Sequence, residues 1–215
     1  MIKRILFTVI VTLCLSIAPS YADLGLAVGV KGGTLGGGVE LSKSLWGPFA
    51  LRLGLNKLNY TLNDSIPDKD MKYDMDINLS SWSAIIDYHP WHGVFRLSGG
   101  VINNDNAFVS TIQSTKNYTA GGRTFTTEDQ GTLTATIDWD PMVPYVGIGW
   151  GDSTEKGKFF GVNVDFGAMF QNSPKVTLDG TNMMEAMESE APKIAKHLEG
   201  AKTWIVASLG FSFNF

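Results

Sequence analysis

The stretch IVASLGFSFNF, residues 205–215, is apolar at every second position: Ile205, Ala207, Leu209, Phe211, Phe213 and Phe215. Side chains alternate faces along a strand, so these six share one face while Ser208, Gly210, Ser212 and Asn214 take the other. A strand that is aromatic and aliphatic on one side and small and polar on the other suits a wall between lipid and a polar lumen.

The same alternation recurs upstream. Leu24, Leu26, Val28 and Val30 oppose Gly25, Ala27, Gly29 and Lys31; Leu35, Val39 and Leu41 oppose Glu40 and Ser42; Phe49, Leu51, Leu53 and Leu55 oppose Ala50, Arg52, Gly54 and Asn56. Met75, Ile77 and Leu79 continue opposite Asp76 and Asn78, but Trp82, Ala84, Ile86 and Tyr88 follow in the other frame, which predicts a bulge near Ser80 and Ser81. Phe95, Leu97, Gly99 and Val101 leave Arg96 and Ser98 inward. Leu133, Ala135, Ile137 and Trp139 oppose Thr132, Thr134, Thr136 and Asp138, and Val146, Ile148 and Trp150 oppose Gly147 and Gly149. Phe160, Val162, Val164, Phe166, Ala168 and Phe170 face away from Asn163, Asp165 and Gly167. Short turns fall at Trp46-Gly47-Pro48, at His89 to Gly93 and at Asp140-Pro141, and polar loops at Asp64–Asp70 and Asp152–Lys158. The polar stretch Asn103–Gln130 carries Gly121-Gly122, a turn signal for a projecting hairpin.

At the other end, Lys3 and Arg4 precede an apolar run from Ile5 to Ala18, then Pro19, Ser20, Tyr21 and Ala22. This is the pattern of a cleaved signal peptide over residues 1–22, leaving a single barrel domain over 23–215. The only cysteine, Cys14, lies in the signal, so the mature chain can form neither a disulfide nor a thiolate metal site. Cleavage removes two basic residues and no acidic one, so the mature protein is more acidic than the net −4 of the full sequence. With no basic run, nucleic acid is excluded as a partner. No mature segment approaches the roughly 20 apolar residues of a membrane helix, so crossing a membrane requires a closed barrel.

With short turns and the C-terminus on the periplasmic side, Phe160–Phe170 runs inward, as does the last strand. An outward strand must then lie between them, and Lys175–Leu178 is the candidate. The resulting expectation is an all-β, antiparallel up-and-down transmembrane barrel of ten strands, with eight as the alternative. Within residues 182–200, Met183, Met187, Ala191, Ile194 and Leu198 recur at spacings of three and four, which predicts an amphipathic helical insert before the last strand. Asn182 and Glu185 have the spacing of a capping box, and Pro192 would kink or divide the helix. The insert either packs over the barrel rim or acts as a lid, with Met183, Met187, Ile194 and Leu198 as apolar contacts.

The segments LRLGL (51–55), FRLSGG (95–100), VPYVGIGWG (143–151) and SLGFSFNF (208–215) resemble strands of small Gram-negative outer-membrane barrels, the OmpW, OmpX and OmpA membrane-domain type. The ending, with Phe211, Phe213 and the terminal Phe215 in one frame, resembles the signal read by the barrel-assembly machinery. The resemblance implies location in the outer membrane, contact with its lipid and lipopolysaccharide, and that machinery as the partner in biogenesis. A monomer is expected.

The inward charges Glu40, Arg52, Arg96, Asp138 and Asp165 carry both signs and would be costly unpaired, so they are expected to form a lumen network. Such a network either fills a narrow barrel or lines a conduit. Barrel enzymes that deacylate or acylate lipid A, or that cleave proteins at the rim, need a histidine beside its catalytic partners. His89 and His92 sit in a turn and His197 on the insert, none with a nucleophile motif, so no catalytic residue, metal or cofactor is expected. The leading expectation is a non-enzymatic structural or surface-interaction protein. The rival is a narrow channel for a small, apolar solute gated by the insert, and a barrel enzyme is the second alternative.

Overall fold

The structure, a computed structural model, describes residues 25–66, 70–91, 93–151 and 159–215; the signal segment 1–22 and loop 152–158 lie outside these. Among the described residues there are thirteen strands: β1 (Leu26–Gly33), β2 (Gly36–Ser44), β3 (Phe49–Ile66), β4 (Met71–Tyr88), β5 (Phe95–Asn104), β6 (Ala107–Ser114), β7 (Tyr118–Ala120), β8 (Arg123–Phe125), β9 (Thr132–Asp138), β10 (Met142–Trp150), β11 (Phe160–Phe170), β12 (Lys175–Gly180) and β13 (Thr203–Asn214). Helix α1 (Thr127–Gln130) precedes β9, and a 3-10 helix (Asn182–Glu190) followed by α2 (Ala191–His197) precedes β13.

Eight of the strands close into an antiparallel ring, β1-β2-β3-β4-β5-β10-β11-β13, with β13 pairing back onto β1 from Ala27↔Asn214 to Gly33↔Ser208. The all-β barrel stands, and the number of strands is the alternative of eight rather than ten. The difference arises at Asp140-Pro141 and Pro174. The first was read as a reversal, but β9 and β10 keep one register against β6 and β5, so they are one strand interrupted at a proline. Lys175 was read as starting an outward strand returning from β11. Instead β12 continues in the direction of β11, shifted by one residue at 171–174. Proline removes a ladder hydrogen bond and so breaks pairing without turning the chain. β10 consequently ends, and β11 begins, at the same end of the barrel as the C-terminus.

On one side the strands run far beyond the ring. β3 and β4 are 18 residues each, about 60 Å at roughly 3.3 Å per residue. Their upper halves join β6, β9 and β12 in a five-stranded tongue, β12-β9-β6-β4-β3. β5 and β6 also share one register along β4, so they too form a single long strand.

No bulge occurs at Ser80–Ser81; β3 and β4 pair without interruption from Ile66↔Met71 to Phe49↔Tyr88. What changes is polarity. Within the ring Arg52, Asn56, Ser81, Ser83 and Asp87 point inward and are buried, while Leu53, Leu55, Trp82 and Ile86 are exposed outside. Beyond Asn56 the inner side carries the cross-strand pairs Leu58↔Leu79, Tyr60↔Ile77 and Leu62↔Met75, and the outer side Lys57, Asn59, Asp76 and Asn78. The apolar face crosses the sheet because its surroundings change there, not its register.

The hairpin expected at Gly121-Gly122 is β7–β8, whose turn has φ of 58° and 79° at the two glycines, the left-handed pair a type I′ turn needs. The 182–200 insert divides at Pro192 into the 3-10 helix and α2. The capping box at Asn182 does not form. Thr181 is the N-cap, and Asn182, at φ 53°, donates its side-chain amide to the Glu128 carbonyl at 2.6 Å. The insert packs on β12, β9 and α1. A Cβ at Gly180 would strike the Met184 backbone, so this glycine lets the 3-10 helix seat on the Leu178 side of β12.

Candidate functional site: a closed lumen

Short inward side chains give the barrel its bore. A Cβ on Gly149 would stand 2.7 Å from Arg96 Nε and 2.9 Å from Asp165 Oδ1, and one on Gly54 would stand 2.6 Å from Ser83 Oγ and 3.2 Å from Lys31 Nζ. Into this space project three cations and three carboxylates, which balance.

Arg52 is the hub. Its guanidinium lies 2.5 Å from Asp87 Oδ2 through Nε, 3.1 Å from Asp165 Oδ2 and 3.5 Å from Glu40 Oε2 through Nη1, and Nη2 donates to Asp87 Oδ1 at 3.0 Å. Arg96 donates to Asp165 Oδ1 at 2.8 Å, to Asn163 Oδ1 at 3.3 Å and to the Gly151 carbonyl. Lys31 closes the set on Glu40 at 2.7 Å. Ser98 Oγ donates to Asp87 at 2.6 Å, and Asn163 Nδ2 donates to Ser212 Oγ at 3.1 Å. Arg52, Asp87, Arg96 and Asp165 are all buried. Charges removed from water are tolerable only when paired and hydrogen-bonded on most sides, as here.

Toward the tongue each contributing strand changes from polar to apolar on its inner face. Ile85 follows Asp87 on β4, Ile102 follows Ser98 on β5, Tyr145 and Val143 follow Gly149 on β10, Met169 follows Asp165 on β11, and Val206 follows Ser208 on β13. With Leu35 from the β1–β2 turn these residues form one buried cluster, and Trp204 packs against it. Next comes a buried amide pair, Asn104 Nδ2 to Gln171 Oε1 at 3.1 Å. An aromatic trio, Phe108, Trp139 and Trp204, has ring centroids 5.7 to 6.5 Å apart. Two voids within the barrel, about 10 and about 20 Å³, touch Lys31, Glu40, Arg52 and Asp165, each the size of one water.

Of the charges singled out in the sequence, Glu40, Arg52, Arg96 and Asp165 meet in this network. Asp138 does not; it ends β9 on the outer face of the tongue, opposite Lys175. Sequence reasoning missed Lys31 and Asp87 as members. Both were visible as the inward residues of alternating runs, Lys31 among glycines and Asp87 between Ile86 and Tyr88. The apolar layer was missed because inward Ile85, Ile102, Val143, Met169 and Val206 look like noise in a polar-in pattern.

Met183, Met187 and Ile194 are exposed on the insert and Leu198 is half-buried. His89 is buried in the β4–β5 turn, and His197 Nδ1 meets the Lys193 carbonyl at 2.7 Å at the opposite end of the molecule. Phe211 and Phe213 point outward and contact Phe160 at 5.9 and 5.8 Å, and the Phe215 backbone pairs with Leu26. Among the described residues no cluster of three histidine, cysteine or acidic side chains suits a metal, and no helix is long and apolar enough to cross a membrane.

The barrel has relatives among solved structures. Crystal structures of Acinetobacter baumannii CarO2 and CarO each superpose with a TM-score of 0.59 at 21% identity, covering 88% of this chain and 98% and 97% of theirs. The chain shares its fold with these proteins. No family model and no curated protein sequence matches it.

Proposed function

We propose that this is a Gram-negative outer-membrane protein of non-enzymatic, structural or surface-interaction role, in which the barrel is a closed anchor and the tongue and insert are the working surface. The observation that carries this reading is the two-layer filling of the lumen, a neutral six-charge network beneath an apolar plug. The membrane setting is supported by the outward band of β11, from Phe160 to Phe170, whose eleven residues match a tilted membrane strand of about 9–11. It is supported also by an aromatic belt at the C-terminal end, where three groups of rings are in contact: Trp46, Phe49 and Tyr88; Trp91, Phe95 and Trp150; and Phe159, Phe213 and Phe160. Trp46 and Trp91 are 73% and 76% exposed, which water alone would not favour but a headgroup layer does. The C-terminus lies at this end and the long strands β3 and β4 extend from the other, so on this reading the C-terminal end faces the periplasm and the tongue faces outward.

The fold shared with the CarO barrels supports the outer-membrane barrel part of this reading. The separation of His89 from His197 supports the non-enzymatic part, since it leaves neither beside a partner set for acyl transfer or proteolysis. A solute channel gated by the insert is not favoured, because the lumen is filled by strand residues rather than by the insert. The test is conductance of the refolded protein in a planar bilayer, with and without residues 183–200. The reading expects silence from both. Steady current from the intact protein would refute the closed anchor, and current appearing only on deletion would make the insert a gate.

A further inference from the structure

On the outer wall of the barrel, across β1 to β4, lies an apolar furrow of about 460 Å³ lined by Val28, Val39, Leu41, Leu53, Leu55 and Trp82. At its tongue end it runs, through the shared Val39, Leu55 and Trp82, into a pocket of about 340 Å³ that Lys57, Ser80 and Asp105 also border. The junction is shaped by sequence. One ladder row across the wall reads Gly32↔Gly37↔Lys57↔Ser80, and a Cβ on either glycine would meet nothing within 4 Å. Where neighbouring rows carry Val30 and Val39, this row is a bare backbone shelf with an exposed lysine at its edge. The row also sits where the outer face turns from apolar to polar, the level of a headgroup.

We propose that this furrow is a seat for one phosphorylated glycolipid of the outer leaflet, a molecule of lipid A type. An acyl chain lies against Val39, Leu41, Leu53 and Leu55, a sugar rests on the Gly32–Gly37 shelf, and its phosphate is held by Lys57. Three observations select that occupant. The groove is lined by apolar side chains of four adjacent strands, which suits a chain. The single cation at its head supplies the charge complement of a phosphate. The groups beside that cation, the Ser80 hydroxyl and the Asp105 carboxylate, form the acceptor-rich set that takes sugar hydroxyls. Asp105 is fixed for this by its backbone N–H donating to the Ser80 carbonyl at 2.9 Å and by accepting from Asn103 Nδ2 at 2.9 Å. The bare glycine shelf beside these acceptors has room for a sugar ring, which a phospholipid headgroup lacks.

This rests on the outward orientation of the tongue argued above, and the experiment separates the two. The protein is inserted into phosphatidylcholine vesicles to score folding by protease resistance. In detergent, native mass spectrometry then follows titration with hexa-acylated lipid A, its dephosphorylated form, or phosphatidylglycerol. The intact protein should bind one lipid A, and Lys57→Gln should weaken it about ten-fold, the loss of one charge-assisted contact. Dephosphorylated lipid A should bind the intact protein as weakly and be indifferent to Lys57→Gln. Gly37→Leu, which fills the shelf without a clash, should abolish the one-to-one complex while the barrel still folds. A folded protein that binds no lipid A, binds it equally after Lys57→Gln, or prefers phosphatidylglycerol overturns the seat. A protein that fails to enter vesicles overturns the membrane reading instead.

Discussion

Arg52 is the group whose loss the lumen should feel most. Arg52→Met removes a guanidinium that touches Glu40, Asp87 and Asp165 and leaves a methionine of comparable length among them. Glu40 retains Lys31 at 2.7 Å and Asp165 retains Arg96 at 2.8 Å, but Asp87 keeps only the Ser98 hydroxyl and Arg96 Nε at 3.9 Å. The cost should therefore concentrate on Asp87, a buried carboxylate stripped of its close cation, and reach about 3–5 kcal/mol, the range for breaking a buried pair by removing one partner. Asp87→Asn in the same chain removes the uncompensated charge, so the double variant should recover about 1–3 kcal/mol relative to the sum of the single losses. The assay is urea unfolding of the protein in detergent micelles, followed by tryptophan fluorescence with folding and unfolding limbs superposed. An Arg52→Met variant within about 1 kcal/mol of the parent, or strict additivity with Asp87→Asn, would refute the view that Arg52 neutralises a dry network.

Gly149→Val should destabilise the barrel by at least 1–3 kcal/mol, since the new side chain must displace Arg96 and Asp165; the same urea titration reads it. Gly180→Val should lift the 3-10 helix from β12, so that limited proteolysis cuts within 183–200 while the barrel midpoint stays unchanged. Replacing both Gly121 and Gly122 by alanine should cost about 1–2 kcal/mol per residue in the β7–β8 hairpin, visible as faster amide exchange at Ala120 and Arg123, the hydrogen-bonded pair beside the turn, and nowhere in the ring. The Asp140 carboxyl is held below its usual range by hydrogen bonds from Lys175 and Asn172, and Lys175 is raised by Asp140. Their contribution is thus complete above the ordinary carboxylate pKa and below the ordinary lysine pKa. It fades as pH falls through the lowered value of Asp140 or rises through the raised value of Lys175. Amide exchange in β12, corrected for intrinsic rate, should lose protection below about pH 4 in the parent and show no such step in Asp140→Asn.

The sequence was most legible where one environment acts on a whole strand. Residues 205–215 and 160–170 keep one apolar face outward along the whole strand, and period two follows. It was least legible where environments change along a strand. Leu58 to Leu79 put their apolar side inward after Arg52 to Ser83 had put it outward, and the simplest sequence explanation was a bulge that the ladder does not contain. Proline was ambiguous for a similar reason. At Pro48 it accompanies a reversal; at Pro141 and Pro174 it interrupts pairing while the chain continues, and only the partner strands β6 and β5 distinguish the cases. The lumen charges could be assigned inward one by one, but which of them meet depends on strand stagger around the ring. That stagger brings Arg52 of β3 to Asp165 of β11, 113 residues apart, and leaves Asp138 on the tongue.

The polarity reversal at Asn56 and Ser81 has a consequence for how the parts divide their work. Below it, the inward polar groups satisfy one another, as the proposed lipid surround would demand, and six charges are consumed in doing so. Above it, polar residues take the outer face and apolar residues collect on the inner one, where the insert covers the β12 side. At β3 that cover ends: Leu58, Tyr60 and Leu62 remain 42%, 56% and 40% exposed, on a strand whose ladder with β2 stops at Gly37↔Lys57. An anchor alone needs none of this. On the proposed reading, a barrel whose lumen charges are spent on one another leaves its contacts to the outer surfaces, and those surfaces lie on the tongue and at the shelf beside Lys57.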